Sequence, residues 1–150
     1  MDRLDGGEGF DWVRYASATR ALMIDLVSPS KNTGDAAGDT FVSIEAVIGS
    51  GYSDTMFGND SADRLDGGPG NDRLTGRGGD DILTGGVGND TLSGDAGNDR
   101  LGGGAGADSF AHAGGALDGT DWVTDYAASQ GDVLAFSGAG ALRHQFRVDF

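Results

Sequence analysis

Cysteine is absent from the 150-residue chain. Neither disulfides nor thiolate metal sites are therefore available. Basic residues are scarce: 10 Lys and Arg stand against 24 Asp and Glu, a formal net charge of -14. No basic patch is present to neutralise phosphates, which argues against nucleic acid as a partner. Glu is nearly missing from the acid, with Glu8 and Glu45 its only examples. A generic solvated acidic face would mix Asp and Glu, whereas a short carboxylate held against a turn favours Asp. The bias points to ligation or turn chemistry. No apolar run approaches the ~20 residues of a membrane span, so no transmembrane segment is expected. No cleavable signal peptide is visible. Met1 and Asp2 are followed at once by the repeat-like RLDGGEGFD, as expected of a piece of a larger protein.

What the chain does have is a period. Seven nine-residue units fill 49–111: GSGYSDTMF, GNDSADRLD, GGPGNDRLT, GRGGDDILT, GGVGNDTLS, GDAGNDRLG and GGAGADSFA. Gly opens each unit. Asp stands sixth, at Asp54, Asp63, Asp72, Asp81, Asp90, Asp99 and Asp108. A large apolar residue stands eighth, at Met56, Leu65, Leu74, Leu83, Leu92, Leu101 and Phe110. Units this short bury their apolar residue only by stacking on neighbours, which makes the array a solenoid.

The unit explains its own composition. Its first six residues are turn material, and Gly permits the positive φ of a tight loop. Its last three form a minimal strand whose middle side chain points inward. Two units make one flat coil, and coils stack as parallel strands about 4.8 Å apart. Alternate units then lie on the same side. Asp54, Asp72, Asp90 and Asp108 form one ladder; Asp63, Asp81 and Asp99 form the other. Two carboxylates at roughly 5 Å repel by about 3 kcal/mol at an effective dielectric of 20. A hard divalent cation between rungs reverses that sign. Carboxylate and carbonyl oxygens suit Ca²⁺, and Mg²⁺ less well because it demands octahedral geometry. Zinc is disfavoured without cysteines, and the two histidines, His112 and His144, lie outside the array. Without the cation, the Gly content and negative charge predict a largely disordered chain.

Three regions are expected. Residues 1–48 hold one isolated unit, GGEGFDWVR, with Asp11 and Val13 in the diagnostic columns. Strand-like runs follow at 15–26 and 41–48, separated by a polar loop at 29–39. Glu45 and Val47 keep the phase of the Asp and Leu columns. This region reads as a degenerate repeat and β cap. Residues 49–111 are the array. Residues 112–150 abandon the period, with short strands at 121–137 as a cap and little order expected at 138–150. Trp12 and Trp122 are expected to pack within the caps rather than serve as sugar-stacking platforms. His112 and His144 are read as surface or cap residues. Asp121, Asp125 and Asp132 fit a further ion or turn and edge roles equally. Arg64, Arg73 and Arg100, all at position seven, are expected to point outward.

The units resemble GGxGxDxUx, the Ca²⁺-binding motif of RTX (repeats-in-toxin, hemolysin-type) proteins. GGPGNDRLT and GGVGNDTLS match it at every specified position. The flanks, GDAAGDTFVSIEAVIGS and DWVTDYAASQGDVLAFS, are similar to those of large secreted RTX proteins, so the likeness spans roughly 6–137. The resemblance implies an all-β, right-handed parallel β-roll with short β caps at both ends. It implies Ca²⁺ ions held between same-side turns, by sixth-position Asp and by carbonyls of positions two and four from one turn and one and three from the next.

Carried over, one site joins Gly68, Gly70 and Asp72 to Gly85, Val87 and Asp90. A second joins Arg77, Gly79 and Asp81 to Gly94, Ala96 and Asp99. A third joins Gly86, Gly88 and Asp90 to Gly103, Ala105 and Asp108. A fourth joins Asn59, Ser61 and Asp63 to Gly76, Gly78 and Asp81. The set of Ser50, Tyr52 and Asp54 with Gly67, Pro69 and Asp72 is weakest, because Tyr52 departs from the motif where close backbone approach is needed. The resemblance further implies type I secretion, folding on Ca²⁺ outside the cell, and an extracellular or cell-surface location. It leaves a polysaccharide- or surface-binding accessory role as the alternative.

Catalysis is not expected. The chain has no HExxH for zinc, no GxSxG nucleophile and no GxxxxGK[ST] phosphate loop. An EF-hand is excluded because no Glu stands at its twelfth position.

Overall fold

The eighth-position residues meet in one column. Met56, Leu65, Leu74, Leu83, Leu92, Leu101 and Phe110 are all buried, and Val47 and Val123 extend the column at either end. A computed structural model describes residues 1–112, 119–137 and 146–149. Its strands are β1 (Arg3–Asp5), β2 (Trp12–Arg14), β3 (Met23–Asp25), β4 (Thr40–Val42), β5 (Ala46–Ile48), β6 (Thr55–Phe57), β7 (Arg64–Pro69), β8 (Arg73–Gly78), β9 (Ile82–Val87), β10 (Thr91–Ala96), β11 (Arg100–Ala105), β12 (Ser109–His112), β13 (Asp121–Val123), β14 (Val133–Phe136) and β15 (Phe146–Val148).

β1 and β4 pair with each other in a small sheet of their own, and from β5 on successive strands alternate between two larger sheets. One has the order β14-β12-β10-β8-β6-β3 and the other β15-β13-β11-β9-β7-β5-β2. Every pairing is parallel, and within the array each residue faces its counterpart two units on, as Leu74 faces Leu92 and Leu65 faces Leu83. The fold is an all-β parallel β-roll, with the Leu column between the two sheets.

Several local expectations change. The strands of the array are six residues long, not three, from β7 to β11. The ladder continues through the first three positions of the next unit, where Gly68 faces Gly86 and Pro69 faces Val87. The tight turn is confined to the remaining residues. The run 15–26 is a strand only at Met23–Asp25, and 41–48 is interrupted at Ser43, whose φ is 49°. The loop at 29–39 folds into two 3-10 turns, Pro29–Lys31 and Gly34–Ala36. Phe146–Val148 pairs with β13, in a stretch where little order was expected beyond packing of Phe146 and Val148.

The N-terminal cap is tied to the roll by charge. Asp25 is fully buried, and Arg77 donates to both of its oxygens, at 3.0 and 2.8 Å. Lys31 adds a third contact at 3.2 Å. Burial pushes the Asp25 carboxyl up, but Arg77 and the Val27 and Ser28 N–H groups outweigh it and hold the pKa at about 2. Arg77 makes this contact from a left-handed backbone position, φ 81°. Among the described residues no helix is long and apolar enough to cross a membrane.

With one Leu per unit, each core residue touches its own column above and below. Leu83→Ala should cost about 2–5 kcal/mol, the range of large-to-small core truncations. Urea unfolding in saturating calcium checks this as a lowered midpoint at unchanged slope.

Candidate metal centre

Stacking turns the sixth-position column into two rows of buried acid. All seven array Asp are buried, as are Asp121 and Asp132 beyond it. Apart from Asp63, whose two oxygens both accept from Asn59, each array carboxylate receives a backbone donor from the preceding coil. The Asp72 N–H donates to Oδ1 of Asp90 at 2.7 Å, and the Asp90 N–H to Oδ1 of Asp108 at 2.9 Å. On the opposite edge the Asp63 and Asp81 N–H groups donate to Oδ1 of Asp81 and Asp99, both at 2.8 Å. Half of every carboxylate is thereby fixed in place.

The other half is not satisfied. Oδ2 of Asp72, Asp81, Asp90, Asp99 and Asp108 is buried with no hydrogen-bond partner. A buried acceptor left unmade costs about 1–3 kcal/mol, more when charged. Each of these oxygens lies over the first-position glycine of its own unit. A Cβ at Gly67, Gly76, Gly85, Gly94 or Gly103 would strike that oxygen. The glycines leave the space beside the carboxylate open.

The turns also need positive φ. Position two is left-handed at Gly68, Arg77, Gly86, Asp95 and Gly104; position four is so at Gly70, Gly79, Gly88, Gly97 and Gly106. A Cβ on Gly88 would overlap the Gly70 carbonyl, so only glycine stacks there.

The first two units are built differently, because neither has a left-handed residue at position two or four. The Ser50 N–H donates to Oδ2 of Asp54 at 2.5 Å, and the Asn59 N–H to Oδ2 of Asp63 at 2.6 Å. Ser50 Oγ and Asn59 Nδ2 donate to the other oxygens. Each turn closes on itself, with Tyr52 N–H on Ser50 Oγ and Ser61 N–H on Asn59 Oδ1. Asn59, Ser61 and Asp63 therefore group with the Asp54 turn, not with the later rungs.

The structure brings the remaining expected sets together as same-side neighbours. Gly68, Gly70 and Asp72 stack below Gly85, Val87 and Asp90; Gly86, Gly88 and Asp90 stack below Gly103, Ala105 and Asp108. On the other edge Arg77, Gly79 and Asp81 stack below Gly94, Ala96 and Asp99, and Gly76, Gly78 and Asp81 stand above Asp63. The Val87 and Ala105 carbonyls accept N–H groups of Gly70 and Gly88 at 2.8 Å each, leaving one lone pair on each oxygen. Among the described residues no three His, Asp or Glu side chains cluster as a metal site. A cation here must draw on turn carbonyls as well as carboxylates. Paired carboxylates, carbonyls and open space fit a hard, oxygen-seeking ion such as Ca²⁺. When bound, it would supply the positive charge the ladder lacks.

The ladder runs further than the period. The Asp99 N–H reaches Oδ1 of Asp121 at 3.3 Å, and the Asp108 N–H reaches Oδ1 of Asp132 at 3.0 Å. Glu45 takes the Asp11 N–H at 2.9 Å. Asp-x-Val in Asp121–Val123 and Asp-x-Leu at 132–134 carry the signal without the spacing. His112 is not a surface residue. It is buried, with Nδ1 at 2.8 Å from Oδ2 of Asp121. Trp12 and Trp122 do not pack in the caps; they stand on the outer sheet face, 44% and 37% exposed. Arg64 and Arg100 share that face. His144 lies outside the described residues.

A parallel β-roll with a carboxylate ladder at each edge is the architecture of a cation-binding repeat solenoid. The profile of the RTX calcium-binding nonapeptide repeat matches residues 48–83 and 75–110, in four copies. Over that span the chain carries RTX calcium-binding nonapeptide repeats. Among curated proteins none matches.

Burial pushes the carboxyls of Asp63, Asp72, Asp81, Asp90, Asp99 and Asp108 up, against the N–H donors that pull them down, and neighbouring carboxylates add to the rise. Asp63 and Asp90 reach about 6, Asp72 and Asp99 about 7, and Asp81 about 8. A raised folded-state pKa stabilises the fold below the ordinary carboxylate range, and that contribution is lost as pH rises through the folded value. Without metal the roll should therefore gain β structure when pH falls from about 8 to about 5. With calcium present, protons compete for the same oxygens, so apparent calcium affinity should fall over that interval. Far-UV circular dichroism and calcium titrations at the two pH values check both signs. Gly85→Ala should weaken the roll by roughly 1–3 kcal/mol, because the added Cβ meets Asp90 and the Gly103 carbonyl. Urea unfolding in calcium measures it.

Proposed function

We propose that this chain is a calcium-driven folding module of a secreted protein. The observation that carries the reading is the set of five buried Oδ2 atoms, at Asp72, Asp81, Asp90, Asp99 and Asp108, with no partner. A ligand present at 100 times its Kd stabilises the folded state by about 2.7 kcal/mol per site. Several ions together offset the charge repulsion and the ordering of so much glycine. The rungs from Asp72 to Asp108 are the ion-binding ones. Asp54 and Asp63 serve as self-closed turns.

In low cytosolic calcium the chain is expected to stay unfolded and fit for type I export. Outside the cell it folds and supports an attached activity. The chain itself performs no catalysis in this reading. A second reading, binding of polysaccharide or a surface, is favoured by the exposed indoles of Trp12 and Trp122.

Circular dichroism during calcium titration tests the first reading. At pH 7 the chain should be largely disordered in excess EGTA and become β-rich with a cooperative calcium midpoint. Equal β content with and without calcium would refute it.

A further inference from the structure

The outer face of the seven-stranded sheet carries a basic and aromatic stripe in a chain of net charge -14. Position seven puts Trp12, Ala46, Arg64, Ile82, Arg100 and Trp122 in one line across six neighbouring strands. At 4.8 Å per strand the line is about 24 Å long. The adjoining position-nine line begins Arg14, Ile48, Asp66 and Thr84. The Arg64 guanidinium lies 5.3 Å from the Trp12 ring centre, and that of Arg100 lies 5.6 Å from Trp122. A shallow hollow of about 380 Å³ opens between Trp12, Arg14 and Ile48.

Arg14, Arg64 and Arg100 form no ion pair among the described residues. That is unexpected in a chain of net charge -14. The only acid beside them in the two lines from β2 to β11 is Asp66. Guanidinium groups stacked on indole keep their in-plane N–H donors free for bidentate carboxylate contacts. The rings and Ile82 offer flat apolar surface between them.

We propose that this face binds a strand of acidic polysaccharide, a uronate chain, laid across the strands along the roll axis. Its carboxylates pair with Arg14, Arg64 and Arg100, and its sugar faces lie on Trp12, Ile82 and Trp122. An anionic bilayer fits less well. A flat membrane would also meet the acidic turns on both edges, whereas a narrow strand meets only the stripe. The proposal rests on the calcium-loaded roll, because only stacking puts the six residues in line. Ion binding also weakens the acidic field that would repel an anionic ligand.

The test is isothermal titration of the chain in calcium with galacturonate oligomers too short to gel, and with neutral maltose oligomers of equal length. The wild-type chain should bind the acidic oligomer, fail to bind the neutral one, and bind less tightly as salt rises. The double variant Arg64→Gln, Arg100→Gln should lose roughly tenfold or more in affinity. Its calcium-induced circular dichroism should match wild type. No binding by the folded wild-type chain overturns the proposal. So does equal binding by the double variant, or binding to phosphatidylserine vesicles without binding to the oligomer. A wild-type chain that shows no β structure in calcium overturns both this proposal and the calcium-folding reading, and the spectrum distinguishes that result.

Discussion

Stacked carboxylates are the constraint on which this molecule depends. The nine-residue period fixes one Asp per unit, and parallel pairing sets each Asp directly above another. Every array Asp is buried. Except at Asp63, one oxygen is held by a backbone N–H of the coil before it, so these side chains cannot swing into solvent without breaking the ladder. From Asp72 on, the second oxygen has no protein donor. The same backbone geometry that makes the roll regular makes it electrostatically incomplete.

The rest of the unit follows from that geometry. First-position glycines keep the space beside Oδ2 clear, and fourth-position glycines let each turn sit on the one below. The Leu column is only one residue wide, so apolar burial per coil is small. Stability is then shared between a thin core and whatever neutralises the rungs. In the proposed reading protons do so at low pH and calcium at neutral pH, in competition for the same atoms. Where the motif lapses, at Ser50–Tyr52 and Asn59–Ser61, side-chain and backbone donors close the turn instead. Arg77 and Asp25 provide a second metal-independent tie, at the N-terminal cap.

Much of this was legible in the sequence because phase alone determines it. The columns name the ladders, the core and the outward positions. The outward placement of Trp12 and Trp122 was also legible, since both occupy the column of Arg64 and Arg100; their apolar character misled. The six-residue strands were not legible. Glycine looks like turn material, yet positions one to three pair in the ladder, a property of the stacked partner rather than of the residue. The extension to Asp121 and Asp132 was hidden because these lie 22 and 24 residues beyond their partners instead of 18. The difference between Asp63 and Asp72 turns on whether position two adopts positive φ, which Asn59 does not. A motif match records only that Asn59 is tolerated there.

The most direct test is anomalous scattering from crystals grown in calcium. The account predicts density for an ion beside Oδ2 of Asp72, Asp81, Asp90, Asp99 and Asp108, and none beside Asp54. Ions found only at exposed carboxylates, or these five oxygens bonded to water or to protein donors alone, would contradict it.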